Sequence, residues 1–304
     1  MESLATINAG LDEFFGIAAS APDPAFSRYL PAVYDAERNP WRTWVEPDFA
    51  ERFNGLMIRG GDTVHTVFLA AFPSAVILHD FLTRAQPGDL LFLHHPIDLE
   101  SGDPRGGWGR FFRPIDANTV HLLQSKQLSV YSCHAPLDYH PTLSTSRSIA
   151  AALQGTITGQ FFPYGPGYAG VIAAVPPTSL VDLEHTLRRV FAVPYLDSTG
   201  ARPAVIHTVA IIAGSGDRVE QMRHAEAADA QAYITGEIRS RIDTEYGHTK
   251  FADVERFAAT TGMALLGVSH AASEFLVMTR EMRAWFAGKF AVDVVPLPES
   301  HWWR

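Results

Sequence analysis

The chain has 304 residues, 47% hydrophobic and 19% charged, which is enough for one large globular domain or two closely packed ones, each with its own core. Its formal net charge is −9 and Lys and Arg are not clustered, which argues against a nucleic-acid backbone as the main partner. The single Cys133 excludes an internal disulfide, and no stretch approaches the roughly 20 uninterrupted apolar residues that a membrane-crossing helix needs.

Met1-Glu2-Ser3-Leu4 lacks the basic start and apolar core of a signal peptide. A cytoplasmic location is therefore expected, and no membrane partner. Residues 1–54 read as helix and loop, with turn signals at Ala21-Pro22-Asp23-Pro24 and Asn39-Pro40. From there strands and helices alternate: a strand over 64–72, a helix over 73–84, a turn at Pro87-Gly88-Asp89 and a strand over 90–93. Such a βαβ unit predicts an at least partly parallel sheet in an α/β fold. Residues 101–113, rich in Gly, Pro and Arg, read as an exposed loop able to cover a site. A helix over 117–127 follows, then strand-like runs over 128–133, 208–213, 230–234 and 263–268. Residues 194–203 are the best candidate for a boundary within the chain.

What stands at the ends of the strands carries most of the functional information. Leu90-Leu91-Phe92-Leu93 ends in His94-His95-Pro96; the later runs end in His134-Ala135-Pro136-Leu137-Asp138, Gly214-Ser215-Gly216-Asp217, Thr235-Gly236-Glu237 and Ser269-His270 with Ser273-Glu274. If the strands are parallel, these ends meet on one edge of a sheet, where α/β proteins gather their chemistry. Neighbouring residues of an extended chain point to opposite faces, so His94 and His95 can serve one site only if the strand bends there; Pro96 supplies the break. His270 and Glu274, four apart where a helix is expected to begin at Ser269, share one helical face and form a common half-site for a divalent metal. Asp138 adds a second carboxylate. Together these residues form a nitrogen and oxygen donor set large enough for two ions, of a kind that suits zinc, manganese or iron.

Each element also has a plainer role available. The histidine pair could cap a sheet edge, His270 and Glu274 could be an ordinary exposed helix start, and Asp138 could cap a helix from Ser144 onward, although Ser144 is the better placed cap. The joint occurrence at strand ends favours metal. Gly165-Pro166-Gly167-Tyr168-Ala169-Gly170 spells the dinucleotide pattern, which needs a strand before it and a helix after it; here Phe161-Phe162-Pro163 precedes and the strand-like Val171 to Val175 follows, so a structural glycine turn is expected. Gly214-Ser215-Gly216 could cradle an anion such as phosphate, and a bare tight turn explains it equally well. Cys133 in an apolar run reads as a packing residue.

Taken in order, these motifs resemble the NIF-three-like family, named for NGG-one-interacting factor three, which holds dinuclear metal-centre proteins often labelled GTP cyclohydrolase type 2. Asn54-Gly55-Leu56 is similar to the family's early element, Leu93-His94-His95-Pro96 to its histidine pair, and His134 to Asp138 to its H-x-x-L-D segment. Gly165 to Gly170 resembles a glycine-rich turn, Gly214-Ser215-Gly216 and Thr235-Gly236-Glu237 resemble two strand-end signatures, and Ser269-His270 with Ser273-Glu274 resembles the closing metal motif. The resemblance spans roughly residues 54–285. It implies one NIF-three-like unit over 1–304, made of two intertwined α/β lobes with mixed and parallel sheets and the metal site between them; the motifs divide these lobes approximately into 1–125 plus 255–304 and 126–254. It implies His94, His95, Asp138, His270 and Glu274 as ligands of two divalent metal ions, His134 as a group beside the ligands or the substrate, and Glu237 as a further pocket carboxylate. It also implies a homo-oligomer, commonly a toroidal hexamer. The segment 98–113 is longer than usual for the family, and the tail 292–304 lies outside its motifs.

Two functions compete. In a hydrolase, metal-activated water would attack a small-molecule substrate, nucleotide-like or a cyclic amide or amidine, with His134 and Glu237 as catalytic acid/base partners and Gly214, Ser215 and Gly216 contacting phosphate. In a non-catalytic regulatory or metal-handling protein, the same ligands would act through protein partners.

Overall fold

The uninterrupted apolar run at 90–93 forms the central strand of a five-stranded sheet in the computed structural model, which describes residues 1–304. The order across this sheet is Asp293–Pro296, Thr66–Ala70, Leu90–Leu93, Ser129–Ser132, Gly55–Ile58. The first four strands run parallel and the last antiparallel. Leu91 and Leu93 enter one core with Phe26, Phe68, Ile77 and Phe81. Phe92, on the other face, meets Phe15, Tyr131 and Phe286. A strand covered on both faces has no solvated side on which polar residues would alternate, which is why the run is unbroken. Helix Ala75–Arg84 makes the crossover between two parallel neighbours, with Ser74 as its N-cap.

A six-stranded mixed sheet is ordered Asp197–Gly200, Ala264–Gly267, Ala232–Glu237, Ile206–Ser215, Gly167–Thr178, Thr156–Tyr164. Its three middle-lying strands Ala264–Gly267, Ala232–Glu237 and Ile206–Ser215 run parallel, and antiparallel strands flank them. One face carries a core of Ile149, Leu183, Leu187, Ile211, Ile234 and Leu266, and the other a core of Ile172, Met222, Tyr233, Val254 and Leu265. The glycine-rich stretch at 165–170 is a hairpin connection, with Gly165 at φ 55° between Thr156–Tyr164 and Gly167–Thr178.

The chain divides into two compact units. Unit 1 is Met1–Leu99, Phe112–His140 and Met278–Ser300; unit 2 is Glu100–Phe111, Pro141–Val277 and His301–Arg304. Three expectations change. The strand ends do not share one edge: 93 and 132 belong to the sheet of unit 1, and 215, 237 and 267 to that of unit 2. The units also differ from the lobe limits drawn on the motifs, because helix His270–Val277 packs on helix Thr145–Ala152 and on the strands of unit 2. Residues 194–203 lie inside unit 2 and carry its edge strand Asp197–Gly200. The loop at 101–110 is bound to the backbone of Arg241 at both ends, Arg241 N–H to the Ser101 carbonyl at 2.9 Å and Gly109 N–H to the Arg241 carbonyl at 2.7 Å.

Candidate metal-binding clusters

In unit 1 the two histidines leave the sheet as the chain leaves the pleat. Regular parallel pairing sends alternate N–H groups toward a given neighbour, whereas His94 and His95 in succession donate to the carbonyls of Ala70 (3.2 Å) and Ala71 (2.9 Å). That bend turns both rings to one side, with centroids 4.8 Å apart and planes at 80°. His134, at the end of the adjacent parallel strand, completes a buried trio in which one ring nitrogen from each histidine lies within 4.8 Å of the other two. Asp138, one turn along the short helix Ala135–Asp138, stands 3.4 Å from His94 Nε2 and 3.7 Å from His134 Nε2.

The surroundings orient these rings. His94 Nδ1 lies 3.0 Å from the Cys133 carbonyl; a carbonyl only accepts, so Nδ1 carries the proton and Nε2 presents its lone pair toward Asp138. His95 is stacked on Phe72 at 4.1 Å and meets Phe26 edge-on. Asp23, which the sequence marks only as a turn residue, is buried beneath His134. Its Oδ2 is 2.9 Å from His134 Nδ1 and accepts from Ala135 N–H at 3.1 Å, and its Oδ1 accepts from the N–H groups of Ala25 and Phe26. Burial raises its pKa, but the neighbouring His134 and these N–H donors outweigh burial and hold the carboxyl well below the usual carboxylate range. Cys133 is buried, and burial pushes its thiol up, which fits a packing residue and not a nucleophile.

In unit 2, Ser269 is buried with φ 85°, a conformation rare for a side-chain-bearing residue. It is held by its N–H to the Gly236 carbonyl and by its hydroxyl to the Trp302 carbonyl. The helix begins one residue later than expected, at His270. His270 Nε2 is 3.0 Å from Glu274 Oε1, and its Nδ1 is 3.4 Å from Glu237 Oε2. Burial lowers the imidazole pKa, but the two carboxylates overcome it and push it up to about 10.

Gly214 N–H donates to Ser273 Oγ at 2.9 Å and Gly216 N–H to the Glu237 carbonyl at 3.1 Å. Two of the three amides of the Gly-Ser-Gly turn are thus engaged, and Glu274 lies beside it, an environment that favours a tight turn over a phosphate cradle. A Cβ on Gly214 would stand 2.4 Å from Glu274 Oε1 and 3.0 Å from His270 Nε2, so the glycine admits the carboxylate. Ser240 and Asp217 extend the polar cluster: Ser240 Oγ donates to Glu237 Oε2 at 2.9 Å, and Ser215 Oγ to Asp217 Oδ1 at 3.1 Å. Asp217 closes the Gly-Ser-Gly-Asp strand end, whereas Ser240 is not marked by any sequence pattern.

Both clusters fit a divalent cation. Their donors are imidazole nitrogens and carboxylate oxygens; the His94 ring is fixed from its far nitrogen; and Glu237 Oε1 is buried with no hydrogen-bond partner, leaving one oxygen of that carboxylate open to a cation.

Mixed α/β units with buried His and carboxylate clusters at the carboxyl ends of parallel strands define a candidate metal-binding protein of the α/β class. Residues 43–299 match the model of the Duf34/NIF3 (NGG1p interacting factor 3) family, and the chain belongs to that family. It is 27% identical over 186 residues to the "GTP cyclohydrolase 1 type 2 homolog" of Escherichia coli K12, covering 61% of this chain and 69% of that one. Among solved structures it is similar to one described as protein ybgI, of unknown function, at 18% identity and a TM-score of 0.66 over 99% and 100% of the two chains. It is also similar to TTHA1606 from Thermus thermophilus, at 18% identity and a TM-score of 0.61 over 98% of each. No helix is long and apolar enough to cross a membrane.

Proposed function

We propose that the chain is a metal-dependent hydrolase that holds two divalent cations through His94, His95, Asp138, His270 and Glu274. The observation that carries this reading is the buried convergence of one ring nitrogen each from His94, His95 and His134 within 4.8 Å beside Asp138. Three imidazoles beside a carboxylate in so small a buried space are a nitrogen and oxygen donor set of the kind that holds a divalent cation. Bound cations would supply a Lewis acid and a water ionised near neutral pH. The chain's own residues do the rest. The Cys133 carbonyl and Glu237 hold the far nitrogens of His94 and His270, and His134 and Glu237 are the groups able to take up and return a proton. The substrate class is nucleotide-like or a cyclic amide or amidine, a choice supported by the name that the Escherichia coli relative carries.

Elemental analysis of protein purified without chelators, followed by a hydrolysis screen over GTP, other nucleotides, phosphoesters and cyclic amides, tests this. About two transition-metal ions per chain and a turnover lost in His95→Ala are expected. Metal without any turnover would favour a regulatory or metal-handling protein acting through partners, and absence of metal would leave the histidines a structural role. Light scattering on the same sample checks the hexamer that the resemblance implies.

A further inference from the structure

Asp23 and His134 are 111 residues apart in sequence, yet their side chains meet at 2.9 Å in the buried interior of unit 1. The carboxylate has no rotational freedom to spare. Oδ1 accepts from Ala25 N–H at 2.9 Å and Phe26 N–H at 2.8 Å; Oδ2 accepts from Ala135 N–H at 3.1 Å and faces Asn54 Nδ2 at 3.4 Å. Asn54 fixes the other partner too, because its Oδ1 accepts the backbone N–H of His134 at 2.7 Å. Phe26 closes the ring's side, edge-on at 4.6 Å. An ionised carboxylate only accepts hydrogen bonds, so the imidazole nitrogen facing it must be the donor.

We propose that Asp23 is a positioning residue for His134: it keeps the ring proton on Nδ1 and thereby makes Nε2, on the Asp138 side, the proton-accepting nitrogen. A carboxylate that orients a histidine through Nδ1 is the arrangement by which nucleophilic triads hold a general base in its working tautomer. Here Asp138 Oδ2, 3.7 Å from Nε2, marks where that nitrogen is aimed. Pro22 and Pro24 flank Asp23 and preset the backbone around it. The catalytic consequence rests on the hydrolase reading above; the tautomer assignment does not.

The test is ¹⁵N NMR of the full chain labelled at histidine, with the His134 ring identified by its loss in His134→Gln and observed at a pH where the ring is neutral. A protonated Nδ1 and an unprotonated Nε2 are expected, and in Asp23→Asn, whose amide can offer a donor to the ring, the proton moves to Nε2. A parent chain with the proton already on Nε2, or a pattern unchanged in Asp23→Asn, overturns the proposal; the parent spectrum decides even if the variant folds poorly. With a substrate from the hydrolysis screen, Asp23→Asn is expected to lower kcat by about 10³- to 10⁴-fold, with KM and metal content kept, as loss of a triad carboxylate does. An unchanged kcat would remove the catalytic consequence. Should the screen find no substrate, the hydrolase reading falls while the spectrum still settles the role of Asp23.

Discussion

At Gly214 the missing side chain is the functional feature. With φ 71° and a carboxylate oxygen 2.4 Å from where a Cβ would sit, Gly214→Ala has to strain the backbone and displace Glu274 together. A loss of about 1–3 kcal/mol is expected, read as a lower urea midpoint at constant m-value, along with reduced metal content. His270 gives a pH-dependent counterpart. In the metal-free chain its pKa, at about 10, lies above the ordinary imidazole value of about 6.5. Its charged form therefore stabilises the fold fully below about pH 6.5, and the contribution is lost as pH rises through about 10. The urea midpoint of chelator-treated protein should fall across that window, and the fall should flatten in His270→Gln; equal slopes would refute it. The same proton must leave when a cation binds at Nε2, so metal affinity should rise with pH. The convergence of His94, His95 and Asp138, and that of His270 and Glu274, was legible because their spacing is local to strand ends. Asp23 was not, since its partners at 134 and 135 are brought to it only by the tertiary fold, and its flanking prolines signal a turn and nothing more.

Among the elements, those with local signals were read closely. The apolar run at 90–93, bounded by a Pro-Gly-Asp turn and by His-His-Pro, is a strand with those limits. Ser144 caps helix Thr145–Ala152 by accepting from Arg147 N–H, as its place in the sequence suggested. Ser144→Ala should cost about 0.5–2 kcal/mol in thermal or denaturant unfolding; a change near zero would mean that packing alone sets the start of this helix. The long hairpin of Thr156–Tyr164 and Gly167–Thr178 was largely missed. Its Gly, Ala, Gln and Pro residues carry little of the two-residue apolar alternation by which a strand announces itself. The tail at 301–304 was equally silent, because what it meets is set only by the tertiary fold: Trp302 packs on Phe275, Trp303 stacks on Tyr195, and the Trp302 carbonyl accepts from Ser269 Oγ.

For the molecule as a whole, bound cations should act as folding ligands. A cation at about 100 times its dissociation constant contributes about 2.7 kcal/mol, so chelation should lower the thermal midpoint and re-addition of metal restore it; a midpoint indifferent to chelator would count against metal binding by the native fold. The α/β class was legible from the alternation of strands and helices, but the assignment of strands to two separate sheets was not, since hydrogen-bond partners leave no mark in a strand's own sequence.

Unit 1 completes its sheet with a strand far along the sequence from the others, Asp293–Pro296 paired to Thr66–Ala70. During synthesis, then, the histidines at 94, 95 and 134 leave the ribosome long before the strand that completes their sheet. Until residue 296 is made, strand Thr66–Ala70 presents an open backbone edge of the kind that recruits foreign strands. A strand translated more than 200 residues later is thus what shields this edge, and the newborn chain must keep the edge covered, by chance contacts or by a chaperone, until that strand emerges.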